Sequence, residues 1–560
     1  MTYTLLIVES PAKCGKIEKF LGSNYKVIGS YGHITHLSNL NQIDFKNNYK
    51  PSFNIIDTKQ SQITKMRKVI NEAKEVILAT DDDREGEAIA WHIAEVFKLN
   101  IAKTKRIVFH EITERAIKNA IANPRTINVD LVYAQQGRQI LDLIVGFTIT
   151  PLLWKHIVSN SKNALSAGRC QTPALRLVYD NYKEIKESPG KLSFNSSGYF
   201  TSQNIQFTLN INHETHDAIK DFLEQSKQYK HLLTKAKERE TIKNQPIPFT
   251  TSGLQQAANN CMHISPKETM ELAQKLYEGG YITYMRTDCK VYSEEFIEES
   301  KIYIMEKYKP QYINPEINKL IQNKDSAKDA NINANEKSKK VTKDASENNA
   351  QEAHEAIRPT CISVENVDNE ETFTAKHKKL YKLIWSNSLE SMMAPAVYKV
   401  LVINISAPHD AQYKYCAEEN IFLGWKAVLG QEEEKYYDYF KNIKEDVVNY
   451  KKITCKQTLK ELKSHYSEAR LVQLLEQKGI GRPSTFSSLL EKIQERNYVL
   501  KQNVEGKKLE VIDYVLLETN IIEEKGTKEF GNEKNKLVIT QMGIFVIEFL
   551  IKYFNDLFDY

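Results

Sequence analysis

None of the seven cysteines (Cys14, Cys170, Cys261, Cys289, Cys361, Cys416, Cys455) stands in a Cys-x-x-Cys pair. Neither a zinc ribbon nor a disulfide framework is indicated, so no zinc is expected. Scattered thiols suit a reducing cytoplasm. No apolar run is long enough to span a bilayer, so no membrane is expected as a partner. The opening MTYTLLIVES lacks a basic n-region and a small-residue cleavage site, and no signal peptide is expected. The Gly-x-x-x-x-Gly-Lys-Ser/Thr loop that cradles nucleoside triphosphates is missing, so ATP is not expected either. A large excess of one charge is missing too. The 77 Lys+Arg and 72 Asp+Glu leave +5, which permits nucleic-acid binding without requiring it. There is no internal repeat.

What is present is 560 residues, 41% hydrophobic and 27% charged, too many for one core and enough for three or four soluble domains. To about Asn123, strand-like runs (residues 5–8, 76–78 and 107–109) alternate with helical ones, the pattern of a parallel sheet covered by helices. Residues 130–178 read as largely helical. Alternating β-branched and aromatic residues at 192–211 and 398–405 predict a smaller β-rich unit that the chain visits twice. Between these visits, Ser265-Pro266-Lys267-Glu268 reads as a capping box with Pro at the first helical position. Leu272, Ala273, Leu276 and Tyr277 follow at helical spacing, and Gly279-Gly280 end the helix. Residues 323–352 are polar and nearly free of large apolar side chains, and predict a disordered insertion. Residues 471–499 predict two amphipathic helices around a Gly-Ile-Gly-Arg-Pro turn. A hairpin over 499–512, turning at Glu505-Gly506, is expected next. That order also describes a winged-helix DNA reader.

Residues 79–92 read ATDDDREGEAIAWH. Asp81, Asp82, Asp83, Glu85 and Glu87 crowd the turn between a buried strand and an amphipathic helix, the usual ligand edge of an open α/β sheet. Like charges this close repel unless a cation lies among them, and hard oxygen ligands suit Mg²⁺. A solvated acidic turn at a helix N-terminus is the bland alternative. The first strand ends at Glu9, with Lys13 four residues on. If the two strands are neighbours, Glu9, Asp81, Asp83 and Glu85 share one or two Mg²⁺ ions and a phosphate. Gly29-Ser30-Tyr31-Gly32-His33 offers a second phosphate-side loop, in which His33 alone reads as an ordinary loop histidine.

The segment GGYITYMRTD, residues 279–288, offers Tyr284 as a nucleophile with Arg286 beside it. A free tyrosine has a pKa near 10 and attacks poorly at neutral pH. A neighbouring guanidinium can stabilise both the developing phenolate and a pentacovalent phosphate. The chain has 29 tyrosines, so position rather than residue type singles this one out.

A glutamate after strand one and an Asp-x-Asp pair after a later strand resemble the Toprim domain. Type IA and type II topoisomerases, bacterial primases and some nucleases share it. GYITYMRTD is similar, nearly letter for letter, to the active-site segment of type IA DNA topoisomerases. LSAGRCQTPALRLV (165–178), PFTTSGLQQAA (248–258), AHEAIRPT (353–360) and GIGRPSTFSSLLEKIQERNYV (479–499) resemble the same family in the same order. The resemblance runs from Met1 to about Tyr560, interrupted by 323–352, and is closest to the bacterial topoisomerase I branch. It implies a multidomain α/β plus α+β fold, with an N-terminal Toprim domain in a four-domain toroid. The expected divisions are 1–126 for Toprim and 127–183 with 430–560 for a helical DNA-binding domain. A β-rich hinge or arch would take 184–245 with 396–429, and a helical domain carrying the nucleophile 246–395.

The resemblance further implies ATP-independent relaxation of negatively supercoiled DNA by a monomer in the cytoplasm, at the nucleoid if bacterial. Tyr284 would cleave one strand through a 5′-phosphotyrosine, and strand passage and religation would follow. Glu9 would act as general acid and then base. Glu9, Asp81, Asp83 and Glu85 would hold Mg²⁺. Lys13, Arg286 and His354 would line the scissile phosphate as cation, transition-state stabiliser and hydrogen-bond donor. His33, Arg138, Gln139, Asp142, Lys155, Arg286, Arg482, Ser484, Thr485 and Arg496 would track the single strand, together with Ser166, Ala167, Gly168, Arg169, Cys170 and Gln171. Asp82 and Glu87 receive no role beyond a solvated turn and a helix start.

Some positions depart from the family pattern. Gln139, Leu143 and Thr148 stand where the family usually carries Arg, Arg and Lys, which should weaken the backbone grip and flatten its salt dependence. Cys289 replaces the usual serine after Arg-Thr-Asp. Relatives continue beyond Phe558-Asp559-Tyr560 through another helix and often zinc ribbons. The rival readings are another Toprim enzyme, such as a primase or nuclease, and a catalytically impaired DNA-binding remnant.

Overall fold

The computed structural model describes residues 3–157, 165–321, 355–367, 372–430 and 436–560. The expected insertion at 323–352 and the candidate His354 lie outside the described residues.

Four parallel strands open the chain, in the order Tyr25–Gly29, Thr4–Val8, Glu75–Leu78, Lys105–Arg106. Leu5, Leu6, Ile7 and Val8 are all fully buried, because a parallel sheet is covered on both faces. Alternation sends them to different cores. Leu6 and Val8 pack with Ile17 and Ile117 on one face. Leu5 and Ile7 pack with Ile63, Met66, Ile89 and Ile93 on the other. The expected strand at 107–109 stops earlier, at Arg106. Ile107 still donates its amide to Leu78 at 2.9 Å, and Ile107 and Phe109 are buried.

The helix Val129–His156, capped by Asn128, runs out of this domain. Its start lends Val132 to the sheet's core. Its end lends Val145, Ile149 and Leu153 to a second core shared with the helices Gln171–Glu187, Glu468–Gln477, Phe486–Glu495 and Gln541–Phe554. The expected hairpin over 499–512 does not form. Val499–Val504 pairs with Glu533–Ile539, while Lys507–Leu517 turns back on Asn520–Phe530. The reason is burial: Val499, Leu537 and Ile539 face the helical core, whereas Tyr514 and Leu516 face a different one.

That other core lies under a ten-stranded sheet. The strands Lys191–Tyr199, Gln206–Leu209, Ala396–Ser406 and Gln412–Phe422 join it, as the alternation predicts. The chain visits it more than twice, however. Lys452–Lys460 pairs along Lys191–Tyr199 and against Lys507–Leu517, so part of the stretch 430–560 expected as helical is sheet. Ile453 and Cys455 alternate inward and are fully buried there.

The helices Thr251–Met262, Pro266–Glu278, Glu294–Tyr308 and Ala375–Met392 build the remaining block. Pro266 occupies the first turn and Ser265 caps it, accepting from the Glu268 amide at 3.2 Å. The reciprocal half of the expected capping box is absent, because the Glu268 carboxylate takes Lys376 instead. Three of the sequence motifs lie side by side here. Ile357 donates to the Phe249 carbonyl, and Thr283 to the Arg358 carbonyl, each at 2.9 Å. This block shares one continuous core with the Leu6/Val8 face of the parallel sheet. Among the described residues, no helix is long and apolar enough to cross a membrane.

Candidate active site

The two acid-bearing strands are neighbours, with Ile7 opposite Leu78. Glu9 and Asp81 therefore leave the same sheet edge. Asp83 caps the helix Arg84–Phe97, its Oδ1 accepting from the Gly86 amide at 2.7 Å. The turn is so tight that a Cβ on Gly86 would meet the Asp81 carbonyl oxygen at 2.1 Å, so only glycine fits. Lys13 ends the short turn Pro11–Lys13, is fully buried, and pairs with Asp81. Its ammonium also lies 4.7 Å from the Tyr277 ring centroid. Burial, followed by the charges of Asp81 and Asp83, pushes the Glu9 carboxyl up to about 7 against the pull of Lys13 and Arg286.

Tyr284 reaches this edge from the neighbouring block. Its amide donates to the His110 carbonyl at 2.7 Å, and its hydroxyl donates to Asp83 Oδ2 at 2.6 Å. The side chain is only 3% exposed. Burial and then Asp83 hold the phenol well above its ordinary pKa, with Arg286 opposing. Arg286 lies 3.4 Å from the same Asp83 oxygen. Tyr284 and the acids raise its guanidinium pKa, so it stays charged. One nucleophile, one guanidinium and three carboxylates thus share a buried corner.

Glu85 is not the fourth member of that group. Its carboxylate turns to His33 at 3.2 Å, Gln135 at 3.0 Å and Arg138 at 3.3 Å. Burial raises its pKa, but His33 and Arg138 outweigh this and hold it below the ordinary value. Glu87 also differs from the expected solvated helix start. It is fully buried, 2.8 Å from Arg125 and 3.3 Å from Arg106. Arg106 in turn donates to the carbonyls of Thr80 and Asp81, each at 2.8 Å, and so holds the acidic turn from behind. Asp82 is likewise engaged, 2.8 Å from His110 and 3.5 Å from Arg125. Sequence reasoning missed this network, as it did Arg358, which is buried between Glu355 at 2.8 Å and Glu111 at 3.0 Å. Five acids in one turn signalled a need for cations, but the cations come from distant segments.

Among the described residues, no three His, Cys, Asp or Glu side chains form a ready metal cage. The donor set still fits Mg²⁺, which keeps several waters and needs only one or two carboxylates. Glu9, Asp81 and Asp83 are hard donors whose mutual repulsion already shows in the raised Glu9 pKa.

The strand-tracking candidates fall into three places. Arg138, Arg482 and Ser484 line one cleft with Asp83, Glu85 and Arg286. His33, Gln139 and Asp142 line an adjoining cavity of about 470 Å³. The run Ser166–Gln171 is pinned beside the long helix. The Ala167 amide donates to Thr150 at 3.2 Å, Gly168 to Thr172 at 3.3 Å, and Gln171 Nε2 to the Ser166 carbonyl at 3.2 Å. Arg169 pairs with Asp142 at 3.1 Å, and Cys170 precedes the helix Gln171–Glu187. Ser166 is further held by Tyr498, two residues from Arg496. Thr485 accepts from the Arg482 amide at 2.9 Å and directly precedes the helix Phe486–Glu495, without a side-chain cap bond to it. Lys155 is not brought in. It sits near the far end of its helix, about 25 Å along the axis from Arg138 at 1.5 Å per residue. On the other side of Arg286, a larger cavity of about 1070 Å³ opens between Glu9, Tyr31 and the helix Pro266–Glu278.

Comparison with known proteins gives one answer along the whole chain. A family profile described as Toprim domain matches residues 4–112, and one described as DNA topoisomerase matches residues 126–533. The chain is 36% identical over 544 residues to DNA topoisomerase 1 of Buchnera aphidicola subsp. Acyrthosiphon pisum (strain APS). That match covers 90% of this chain and 60% of the Buchnera protein. Full-length topoisomerase I from Thermotoga maritima superposes with a TM-score of 0.78 at 30% identity, over 99% of this chain and 83% of that one.

Proposed function

Because the chain belongs to the type IA DNA topoisomerase family and has its fold, Toprim domain included, we propose that it relaxes negatively supercoiled DNA by transient cleavage of one strand. The chain spans about 60% of the length of the curated relative it matches, and the reading is carried by its own site. The observation that carries it is the Tyr284 hydroxyl, 2.6 Å from Asp83 and close to the charges of Arg286 and Asp81. A primase or a Toprim nuclease has no use for that tyrosine.

In the proposed reaction the Tyr284 oxygen bonds to phosphorus and the bond from phosphorus to the 3′ oxygen breaks. Asp83 is placed to accept the phenolic proton. Glu9, half protonated near neutral pH, delivers a proton to the departing 3′ oxygen and later takes it back for religation. Arg286 and Lys13 offset the charge on the phosphate. Mg²⁺, when bound by Asp81 and Asp83 with help from Glu9, would neutralise the acid cluster and hold the phosphate. One ester replaces another, so no ATP is consumed, and torsional strain in the duplex drives strand passage. The DNA arm would lie along Arg138, Arg482, Ser484 and the Ser166–Gln171 run. The division into four domains stands as part of this reading, with Lys452–Lys460, Lys507–Leu517 and Asn520–Phe530 assigned to the sheet domain. We place the monomer in the cytoplasm, where its seven free thiols would stay reduced.

The test is relaxation of supercoiled plasmid across Mg²⁺ concentrations, with trapping of a protein joined to a 5′ end. Tyr284→Phe should abolish both. A purified protein that leaves the plasmid untouched at every Mg²⁺ and salt concentration would refute the reading.

A further inference from the structure

We propose that Tyr31 is a stacking platform for a base of the cleaved strand, on the arm that becomes joined to Tyr284. The inference rests on the strand-cleaving reading above and adds a DNA-binding residue to it.

Three observations point to Tyr31. Its backbone is left-handed, with φ of 62°, although it is not glycine. A bulky residue in that region is costly and persists only where its surroundings hold it there, as at turns, helix ends and ligand sites. Its ring is 54% exposed, so burial does not explain the choice of an aromatic. Its surroundings do hold it. The amides of Tyr31 and Gly32 donate to the Glu9 carbonyl at 2.9 and 3.3 Å, and Ser30 donates to Val8 at 2.8 Å. Lys59 donates to the Tyr31 carbonyl at 2.6 Å while its ammonium lies 5.8 Å from the ring centroid. A ring thus stands in the open, beside a cation, on a backbone tied to that of Glu9, the residue that handles the 3′ oxygen.

Its position gives the ligand. Arg286 lines both the cleft of Arg138 and Arg482 and the cavity of about 1070 Å³ that Tyr31 borders. A strand whose scissile phosphate sits at Arg286 has one arm in each. The Tyr31 cavity is also lined by the helix Pro266–Glu278, from the block that carries Tyr284. It therefore suits the arm that stays attached to Tyr284. A single strand in such a channel is held by phosphates on cations and bases on aromatic faces, and Lys59 and Tyr31 are that pair.

The test uses full-length protein. The cleavage site is first mapped on an oligonucleotide with the parent protein. 2-Aminopurine is then placed at each of the first two nucleotides 3′ to that site, and its fluorescence is read on the non-cleaving Tyr284→Phe background. Tyr31→Gly removes the ring and relaxes the left-handed backbone, so the loop and its bonds to Glu9 stay. Quenching at one of the two positions is expected with Tyr31 and with Tyr31→Phe. Tyr31→Gly should lose it and bind the oligonucleotide roughly tenfold more weakly. Equal quenching and affinity in Tyr31 and Tyr31→Gly, in a protein that does cleave, would overturn the inference and leave the function standing. A parent protein that forms no covalent complex would overturn both.

Discussion

Tyr284 and Asp83 come from segments two hundred residues apart, yet the phenolic hydroxyl donates to the carboxylate at 2.6 Å. Asp83 holds two posts at once. One oxygen starts the helix Arg84–Phe97 through the Gly86 amide, and the other receives the nucleophile. The helix cap therefore fixes where the proton acceptor stands. It also couples the block that carries Tyr284 to the block that holds the acids. Tyr284 is buried, so in the proposed reaction DNA has to enter beside the Tyr284–Asp83 pair before the hydroxyl can attack.

This double post separates two substitutions. Asn caps a helix as well as Asp does, so Asp83→Asn should melt within about 1 kcal/mol of the parent protein. Asp83→Ala should lose a further ~1 kcal/mol with the cap. Both remove a carboxylate from the acid cluster, and the Mg²⁺ concentration needed for half-maximal plasmid relaxation should rise about tenfold, worth ~1.4 kcal/mol of ligand energy. An unchanged Mg²⁺ requirement in Asp83→Asn would show that this carboxylate is not a metal ligand.

Glu9 should make stability depend on pH. Its carboxyl is raised from 4.5 in the unfolded chain to about 7 in the fold, first by burial and then by Asp81 and Asp83. Protonation therefore favours the folded state. The contribution is fully present below pH 4.5 and is lost as pH rises through about 7. In metal-free buffer the parent protein should lose melting temperature relative to Glu9→Gln between pH 5 and 8. Mg²⁺ added at pH 8 should restore part of that loss in the parent and little in the variant. Parallel melting curves across the range would count against a strained Glu9.

The local features were the legible ones. Ser265 and Pro266 announce a helix start, Gly279-Gly280 an end, and the run to Leu78 a buried strand, because caps and periodicity act within a few residues. Glu9, Asp81 and Tyr284 were legible as chemistry because their motifs are short and dense. Long-range partners were not. Nothing near Val499 says that it pairs with Ile539 rather than with Lys507–Leu517. That choice depends on which of two cores each face meets. Glu85 and Glu87 lie two residues apart and look alike in sequence. One turns to His33 and Arg138, the other to Arg106 and Arg125. Their roles are set by strand register and by a helix that begins forty residues later.

Glu87 carries the largest stability prediction. Arg106 is fully buried, and Glu87 and the backbone carbonyls of Thr80, Asp81 and Ile107 surround it. Removing the acid leaves a buried guanidinium without its counter-charge, at a cost of ~3–5 kcal/mol. Glu87→Leu should strip folding from the N-terminal domain, read as a lower first transition in urea. Glu87→Leu with Arg106→Met removes both charges and should recover most of the loss. If the double variant is no better than the single, the pair acts through packing and not through charge.

Gln139 bears on how tightly the strand is gripped. It is half-buried in the cavity of about 470 Å³ that His33 and Asp142 also line, one residue from Arg138. The family resemblance puts an arginine there. Gln139→Arg would add a cation to a wall where Glu85 is already paired to Arg138 and Asp142 to Arg169. The new charge is therefore free to meet a phosphate. Each phosphate neutralised on a single strand adds about 0.7 to the slope of log affinity against log salt. Binding of a fluorescent oligothymidine to the Gln139→Arg variant should tighten several-fold at low salt and converge with the parent near 0.5 M. Its slope should be steeper by ~0.7, with no change in which sequence is preferred, since phosphate contacts carry none of that information. A tighter variant with an unchanged slope would place the new guanidinium on a base rather than a phosphate. An unchanged affinity would place the strand outside this cavity.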